Sequence, residues 1–451
     1  MLDVGRHPNI ELMAYSELKG LEGDAGNFTA KVLKKARYVD ADKCTGCGAC
    51  VEVCPTPVSD LYNEGHADRK AVYSWFAQGI PSTHAIDTDH CRVFQGKRCG
   101  ICAKKCEADA INFDQTEETV ELNVGAVVVA TGYDVFDPGK IPEYRYKTLD
   151  NVITAMEFER FLSASGPTEG HLYRPSDRKL KAEKADLEKT LAKSAKALAR
   201  FEKKHGMTSK NFLVALTTNT LELTDDLAKD AEKWAAKAKD HKSKDDRLTA
   251  LAQKADAVTT AKKIAFIQCV GSRDLRFYPF CSGYCCMHAI KEAIIAHEHD
   301  NDTESSIFGM DIRAVGKGFE EYKIRGGNAS QITYKRSRVA EIVRGENENP
   351  VLIYEDTAQQ KIVKEPFDLV VLSTACAPVK GTQDIADTLG VDLDKFGFFK
   401  TDAANPLDTT RDGIFVCGCA HSPMDIPESV AQASSAAARA VQAIMKSKKA
   451  S

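Results

Sequence analysis

Residues 37–55 read RYVDADKCTGCGACVEVCP and contain the spacing Cys44-x2-Cys47-x2-Cys50-x3-Cys54-Pro55. Three cysteines at x2 spacing fit a tight loop around one iron–sulfur cubane. The fourth leaves that loop on a helix and reaches a second cluster. A second run, Cys91-x7-Cys99-x2-Cys102-x3-Cys106, follows with a stretched first gap and Glu107 where proline is usual. The swapped-ligand rule assigns Cys44, Cys47, Cys50 and Cys106 to one [4Fe–4S] cluster and Cys91, Cys99, Cys102 and Cys54 to the other. Zinc ribbons instead use two separated cysteine pairs, not four cysteines in eleven residues. Residues 38–115 are therefore expected to form a ferredoxin-like α+β unit with two clusters.

The rest of the composition fits this reading. Fifteen cysteines occur in 451 residues, eight of them between 44 and 106, four between 269 and 286, and three at 376, 417 and 419. The N-terminus MLDVGRHPNIELMAYSEL has no charged segment followed by an apolar one, so a secretory signal is not expected. A cytoplasmic location follows, where grouped cysteines are metal ligands or reactive thiols more often than disulfides. With 61 Lys and Arg against 65 Asp and Glu, the net charge of −4 shows no basic excess for nucleic acid. No run of eighteen apolar residues predicts a membrane span.

Outward from the cysteine region the pattern is α/β. Residues 1–37 read as strand and turn, with alternation at Phe28–Val32. The short continuous apolar run Ala126–Ala130 has the character of a buried parallel strand. An amphipathic helix is expected over 151–165. The α/β pattern resumes at KKIAFIQCVGSRD, with a helix at 287–298, strands in SSIFGMDI, SQITYK, NPVLIYED and FDLVVLST, a strand at Gly413–Val416 and a helix at 426–446. This alternation predicts stacked parallel sheets of the dinucleotide-binding type. Residues 179–262 differ, being rich in Lys, Ala, Leu, Glu and Asp. Leu187, Leu191, Leu198 and Phe201 share one helical face, HGMTSKN breaks the helix, and further helical blocks are expected at 211–240 and 245–260. This is a charged helical insertion whose lysines read as a solvated face rather than a docking face.

Cys269-x11-Cys281-x3-Cys285-Cys286 lies where a predicted strand runs into a helix. Its spacing leaves two alternatives open: a third [4Fe–4S] cluster, or buried or exchangeable thiols. Cys376, Cys417 and Cys419 read as small buried hydrophobes. Ala130-Thr131-Gly132 ends a strand, as is common in flavoproteins, although an ordinary strand-to-loop turn looks the same. The strand GIFVCG leads to a helix near Ile426, whose N-terminal amides suit the pyrimidine edge of a flavin. No strand is followed by G-x-G-x-x-G. His7, His66, His90 and His288 stand alone and read as structural. No Ser–His–Asp set, phosphate loop or HExxH is present.

The stretches DVGRHPNIEL, RYVDADKCTGCGACVEVCP, ELNVGAVVVATGYD, RPSD, IAFIQCVGSRD, CSGYCCMHAIKEA, MDIRAVGKGFEEY and GIFVCGCA…DIPESVAQA together resemble the A subunit of heterodisulfide reductase, outside 179–262. The A subunit of the quinone-interacting membrane-bound oxidoreductase is a more distant resemblance. The resemblance implies a thioredoxin-reductase-like, two-dinucleotide-domain flavoprotein fold with an inserted two-cluster ferredoxin domain. The implied division is a partial FAD domain at 1–37, the ferredoxin-like unit at 38–115, the FAD domain continued at 116–165, and the helical insertion at 179–262. A second nucleotide-binding-like domain follows at 263–385 and the end of the FAD domain at 386–451. It further implies cluster ligation by Cys269, Cys281, Cys285 and Cys286, and FAD contacts at Thr131, Gly132, Gly418, Cys419, Asp425, Ile426 and Pro427.

By the same resemblance the chain is an oxidoreductase subunit that relays or bifurcates electrons between clusters and FAD. Its expected partners are the B-like and C-like subunits of heterodisulfide reductase and a hydrogenase- or dehydrogenase-linked input subunit. The other reading is a flavin-free iron–sulfur relay, which the missing G-x-G-x-x-G favours. CVGSRD replaces the glycine-rich loop of nicotinamide-using relatives, so direct nicotinamide binding is not expected. Ala375-Cys376 stands where the family often has glycine, and a C-terminal ferredoxin domain found in some members is not expected. Met1 falls inside the family's FAD domain, after the expected G-x-G-x-x-G. The expectation is a longer protein interrupted at an in-frame UGA read as stop, or else a split gene; the upstream DNA would decide.

Overall fold

The computed structural model describes residues 2–206, 208, 211, 225–256 and 260–450. A five-stranded parallel sheet forms the largest core. Its spatial order is Val152–Thr154, Leu369–Thr374, Lys263–Val270, Glu304–Gly309 and Ile332–Arg336. Both faces are covered, which explains why these strands are apolar without interruption. Side chains alternate between two cores, as the two-residue period of a strand requires. Ile264, Phe266, Leu369 and Val371 pack with Phe158, Phe161, Ala289 and Ile290 on one side. Ala265, Ile267, Val370 and Leu372 pack with Phe136, Phe308 and Leu352 on the other. The first core is closed by helices Ala155–Leu162 and Cys285–His299. The former begins with a reciprocal capping box between Thr154 and Glu157.

The second core lies around the antiparallel sheet Ser16–Asp24, Asn27–Lys34 and Glu118–Val124. Beside it, Val127–Val129 pairs in parallel with Ile414–Val416. Phe28, Leu21, Val129, Ile414 and Val416 fill the space between, and the helix Ile426–Ala450 follows. The expectation of stacked parallel sheets thus needs correction. One sheet is fully parallel, but the other region is mostly antiparallel, with one parallel pair. A further antiparallel sheet, Val339–Arg344, Pro350–Asp356 and Lys361–Pro366, caps the five-stranded sheet.

Residues 35–117 leave the antiparallel sheet after Asn27–Lys34 and return at its neighbour Glu118–Val124. The eight cysteines of the first region all lie in this excursion. Two antiparallel strand pairs, Pro57–Ser59 with Asp68–Lys70 and Val72–Tyr73 with Ala85–Ile86, and the bridge Val39–Ile111 frame it.

A second excursion holds the helices Pro175–His205 and Asp225–Asp256. Leu187, Leu191, Leu198 and Ala238 are buried within it, and Ser194 and His241 hydrogen-bond across it. Gly206 ends the first helix in the left-handed conformation. The helical block expected at 211–240 falls partly outside the described residues, as do positions near the end of the block at 245–260. The break expected between those blocks is absent, since the helix runs through KDHKSKDD. At its base, the amide of Ala261 donates to Leu172 O at 2.8 Å, so the excursion leaves and returns at one point. Sequence reading also misses the helix Phe319–Ala329.

Candidate metal centres and redox site

Each four-cysteine run of the first region is built on the same local device. Cys47-Gly48-Ala49-Cys50 and Cys99-Gly100-Ile101-Cys102 each lead into a short helix, and Gly48 and Gly100 sit at its start in the left-handed conformation, with φ of 79° and 116°. A side chain there would be strained, and glycine accepts this conformation at little cost. Cys54 and Cys106 follow the helices in extended conformation. The repeat C-G-x-C-x-x-x-C is visible in the sequence and relates the two halves position by position.

Cys44, Cys50 and Cys106 lie close enough to influence one another. Burial pushes the Cys50 thiol up to about 11, and Cys44 and Cys106 add to the shift. A small cavity is lined by Cys54, Cys91, Cys99 and Cys102, together with Pro55 and Ile101. The Cys102 thiol is likewise raised to about 11, by burial first and then by Cys91 and Cys50. Cys50, Cys54, Cys91 and Cys102 are buried, whereas Cys47 and Cys99 are exposed. Three members of the first expected set and all four of the second are therefore placed together. Cys106 Sγ also accepts the amide of Ala110 at 3.4 Å, and Cys44 Sγ lies 3.8 Å from His84 Nδ1.

The donor chemistry fits iron–sulfur clusters. A tetrahedral Zn–S4 site with 2.3 Å bonds brings its sulfurs to about 3.8 Å from one another. Among the described residues no three cysteine sulfurs lie within 4.8 Å of one another; the group that does is Glu159, His288 and Glu292. That trio already has internal partners. Lys291 Nζ donates to both Glu159 oxygens, at 2.6 and 2.5 Å, and His288 Nε2 lies 3.6 Å from Glu292 Oε1. Glu292 is fully buried with neither carboxyl oxygen hydrogen-bonded, and burial raises it to about 8.

The second cysteine group is assembled from the end of strand Lys263–Val270 and the start of helix Cys285–His299. The strand register shifts between Ile267 and Val270. Inside that irregularity Cys269 has φ +61°, a conformation uncommon for any residue but glycine. The Arg273 guanidinium beside it works against the upward push of burial on its thiol. Cys269, Cys281, Cys285 and Cys286 all interact electrostatically. Burial raises the thiols of Cys269, Cys285 and Cys286. Gly271, φ +81°, lets the ring of Phe136 approach; a Cβ there would meet it at 2.4 Å.

The segments expected to touch FAD converge on the same region. Gly132, with φ +76°, ends the turn after Val127–Val129. Its neighbour Tyr133 packs against Tyr284 with ring centroids 5.5 Å apart. Gly418 opens a short helical turn, and its amide donates to Gln432 Oε1 at 3.0 Å. Asp425 and Glu428 cap the helix Ile426–Ala450 reciprocally, at 3.2 and 2.9 Å. Pro427 has no N–H and the Glu428 amide serves Asp425, so the first turn leaves the Ile426 amide for an anionic edge. His421 sits beside this turn, half-buried, with its imidazole held below its ordinary range by burial. Sequence reading gives no signal for it.

Cys417 is buried, as a small hydrophobe would be. Cys376 is buried and Cys419 half-buried, and Cys419 Sγ donates to Met424 O at 3.4 Å.

The chain is similar to known proteins. A family model described as "4Fe-4S binding domain" matches residues 37–58. The chain is 38% identical over 98% of its length to the A subunit of ferredoxin:CoB-CoM heterodisulfide reductase of Methanosarcina acetivorans, covering 48% of that protein. It is 36% identical over 99% of its length to the A subunit of H(2):CoB-CoM heterodisulfide,ferredoxin reductase of Methanothermobacter thermautotrophicus, covering 55%. A protein of Archaeoglobus profundus, named as similar to the heterodisulfide reductase A subunit, is 36% identical, with 98% and 58% covered. The chain thus spans about half the length of these relatives. Among solved structures, thioredoxin reductase of Lactococcus lactis matches 41% of this chain and 54% of its own, at 18% identity and a TM-score of 0.29. Among the described residues, no helix is long and apolar enough to cross a membrane.

Proposed function

We propose that this chain, similar to the A subunits of heterodisulfide reductases over about half of their length, is an iron–sulfur flavoprotein subunit that relays electrons. In this reading Cys44, Cys47, Cys50 and Cys106 hold one [4Fe–4S] cluster, and Cys54, Cys91, Cys99 and Cys102 hold another. Cys269, Cys281, Cys285 and Cys286 hold a third. FAD lies against Thr131, Gly132, Gly418, Cys419, Asp425, Ile426 and Pro427, and supplies an acceptor that can exchange one electron or two. The two-cluster unit, projecting from a sheet as an insertion, is the exchange point with partners. Those partners are subunits of the B and C type and an input subunit drawing on a hydrogenase or dehydrogenase. Bifurcation at the flavin is the finer form of the proposal, and the cytoplasm is its setting.

The observation that carries this reading is the convergence of the second cysteine group with the Thr131–Tyr133 and Gly418–Pro427 segments. Tyr133 feels Cys376, Cys419 and Cys285 together, and Gly283 approaches Pro423. The chain's own residues here bury the thiols, exclude water with the two tyrosine rings, and aim helix-terminal amides at one edge. The test is the iron, acid-labile sulfide and flavin content of anaerobically purified protein. About twelve iron atoms, from cubanes of four irons each, with one FAD per chain support the proposal. Clusters without flavin would replace it with the relay reading.

A further inference from the structure

Two helices that close the larger apolar core bring three ligand-type side chains to one point. Glu159 comes from the helix Ala155–Leu162, and His288 and Glu292 from the helix Cys285–His299. A spacing of four residues puts His288 and Glu292 on one face, one turn apart. His288 Nε2 lies 3.4 Å from Glu159 Oε2 and 3.6 Å from Glu292 Oε1. All three donor atoms fall within 4.8 Å of one another. Glu292 sets the group apart from a surface ion cluster. Its side chain is fully buried, and neither carboxyl oxygen has a hydrogen-bond partner. A carboxyl group buried in this way calls for a cation or a proton. Lys291 does not serve it, because its Nζ donates to the two oxygens of Glu159. Nor does the imidazole, since 3.6 Å is beyond hydrogen-bond length. The two separations suit a shared ion instead. A tetrahedral zinc with bonds of about 2.0–2.2 Å to nitrogen and oxygen holds its ligand atoms roughly 3.3–3.6 Å apart.

We propose that Glu159, His288 and Glu292 form a binding site for one divalent transition-metal ion of the zinc type, held by one imidazole nitrogen and two carboxylate oxygens, with a fourth position for water. The Glu159 and His288 side chains are 35% and 27% exposed, which gives the ion a path from solvent. Each carboxylate oxygen can accept two partners, so Glu159 keeps Lys291 while it binds the ion. The ion offsets the buried charge of Glu292 and clamps the two helices together, one turn from Cys285 and Cys286. Without the ion a proton takes its place on Glu292, and binding releases that proton. The site is independent of the flavin reading above.

The experiment uses the full chain, purified without air with its iron in place and dialysed against a graded series of free Zn2+. Zinc and iron are then measured on the same samples. At saturation the wild type should hold about one zinc per chain more than Glu292→Gln or Glu159→Gln, with equal iron in all three. The wild-type-minus-variant spectrum at the zinc X-ray absorption edge should show nitrogen and oxygen at about 2.0–2.2 Å and no sulfur at about 2.3 Å. Should Glu292→Gln fail to fold, Glu159→Gln decides, since its side chain lies at the exposed rim. Equal zinc in the wild type and the variants would overturn the proposal and leave an imidazole held between two carboxyl groups. Sulfur in the difference spectrum, or zinc that enters only as iron leaves, would overturn it too, by placing the zinc on cysteines.

Discussion

The eight cysteines of residues 44–106 and the four of residues 269–286 are held in opposite ways. The first group sits in an excursion whose small core includes Cys50, Cys54, Cys91 and Cys102 among Val39, Val58, Ala71, Val72, Ile86 and Ala110. The second hangs on the edge of a five-stranded sheet with a large apolar core of its own. In the first region the cysteines are part of the core; in the second they are attached to an architecture that stands without them. Metal binding contributes folding free energy where no independent core exists, so loss of iron should have unequal effects in the two places.

The largest expected effect follows directly. Stripping iron with a chelator should open residues 37–115 to protease while the segments of the five-stranded sheet stay protected, as mapped by limited proteolysis. Equal protection in both regions would break the comparison. Next, Cys285→Ala is expected to lower iron by about four atoms per chain, one cubane, and to leave the melting temperature nearly unchanged. Cys50→Ala, with the same nominal iron loss, should lower it clearly. Paired iron analysis and thermal denaturation would separate the two.

A smaller effect is expected on the helix that carries Cys285 and Cys286. Glu292 has a folded pKa of about 8 against an ordinary 4.5. Between those values the folded chain holds a proton that the unfolded chain has lost, so stability falls as pH rises through this window. Glu292→Gln should flatten that slope and stabilise by at most about 3 kcal/mol at pH 7, following the 1.36 kcal/mol per pKa unit of linkage. Denaturant titrations at pH 5 and pH 8 test this; an unchanged slope would mean another group governs it. Smallest is the effect of Arg273→Gln. Removing the guanidinium beside Cys269 withdraws positive charge that favours the reduced, more negative form, so the midpoint potential of a cluster there should fall. A redox titration followed by EPR reads this, and potentials of the first group should not move.

What can be read from the sequence follows the same division. The first group is legible because four ligands fall within eleven residues and need only local geometry. The strands at 263–270 and 369–374 are legible because burial on both faces demands unbroken apolar runs. The helix Phe319–Ala329 is not, since FEEYKIRGGNA carries two glycines and little apolar periodicity. The helical blocks expected at 211–240 and 245–260 leave a gap inside KDHKSKDD, yet the helix runs through it, with Ala238 buried and Ser194 bonded to His241. The positive φ of Cys269 and the meeting of Tyr133 with Tyr284 depend on how distant segments fold together. No local pattern announces either.

The bond between Ala261 and Leu172 makes the charged helical hairpin a graft rather than a limb. Its two stems meet at that bond, with Ser176, Arg178 and Lys179 also tied to Asn151, His66 and Asp150 at the start of the first helix. Closing a longer loop through a fixed junction costs only a logarithmic increment of entropy, about 0.6 kcal/mol for each doubling of length. Such a junction tolerates growth, shrinkage or exchange of what it holds. Replacing the hairpin by a few residues across that junction would give the chain a shorter outline without touching the strand order beneath.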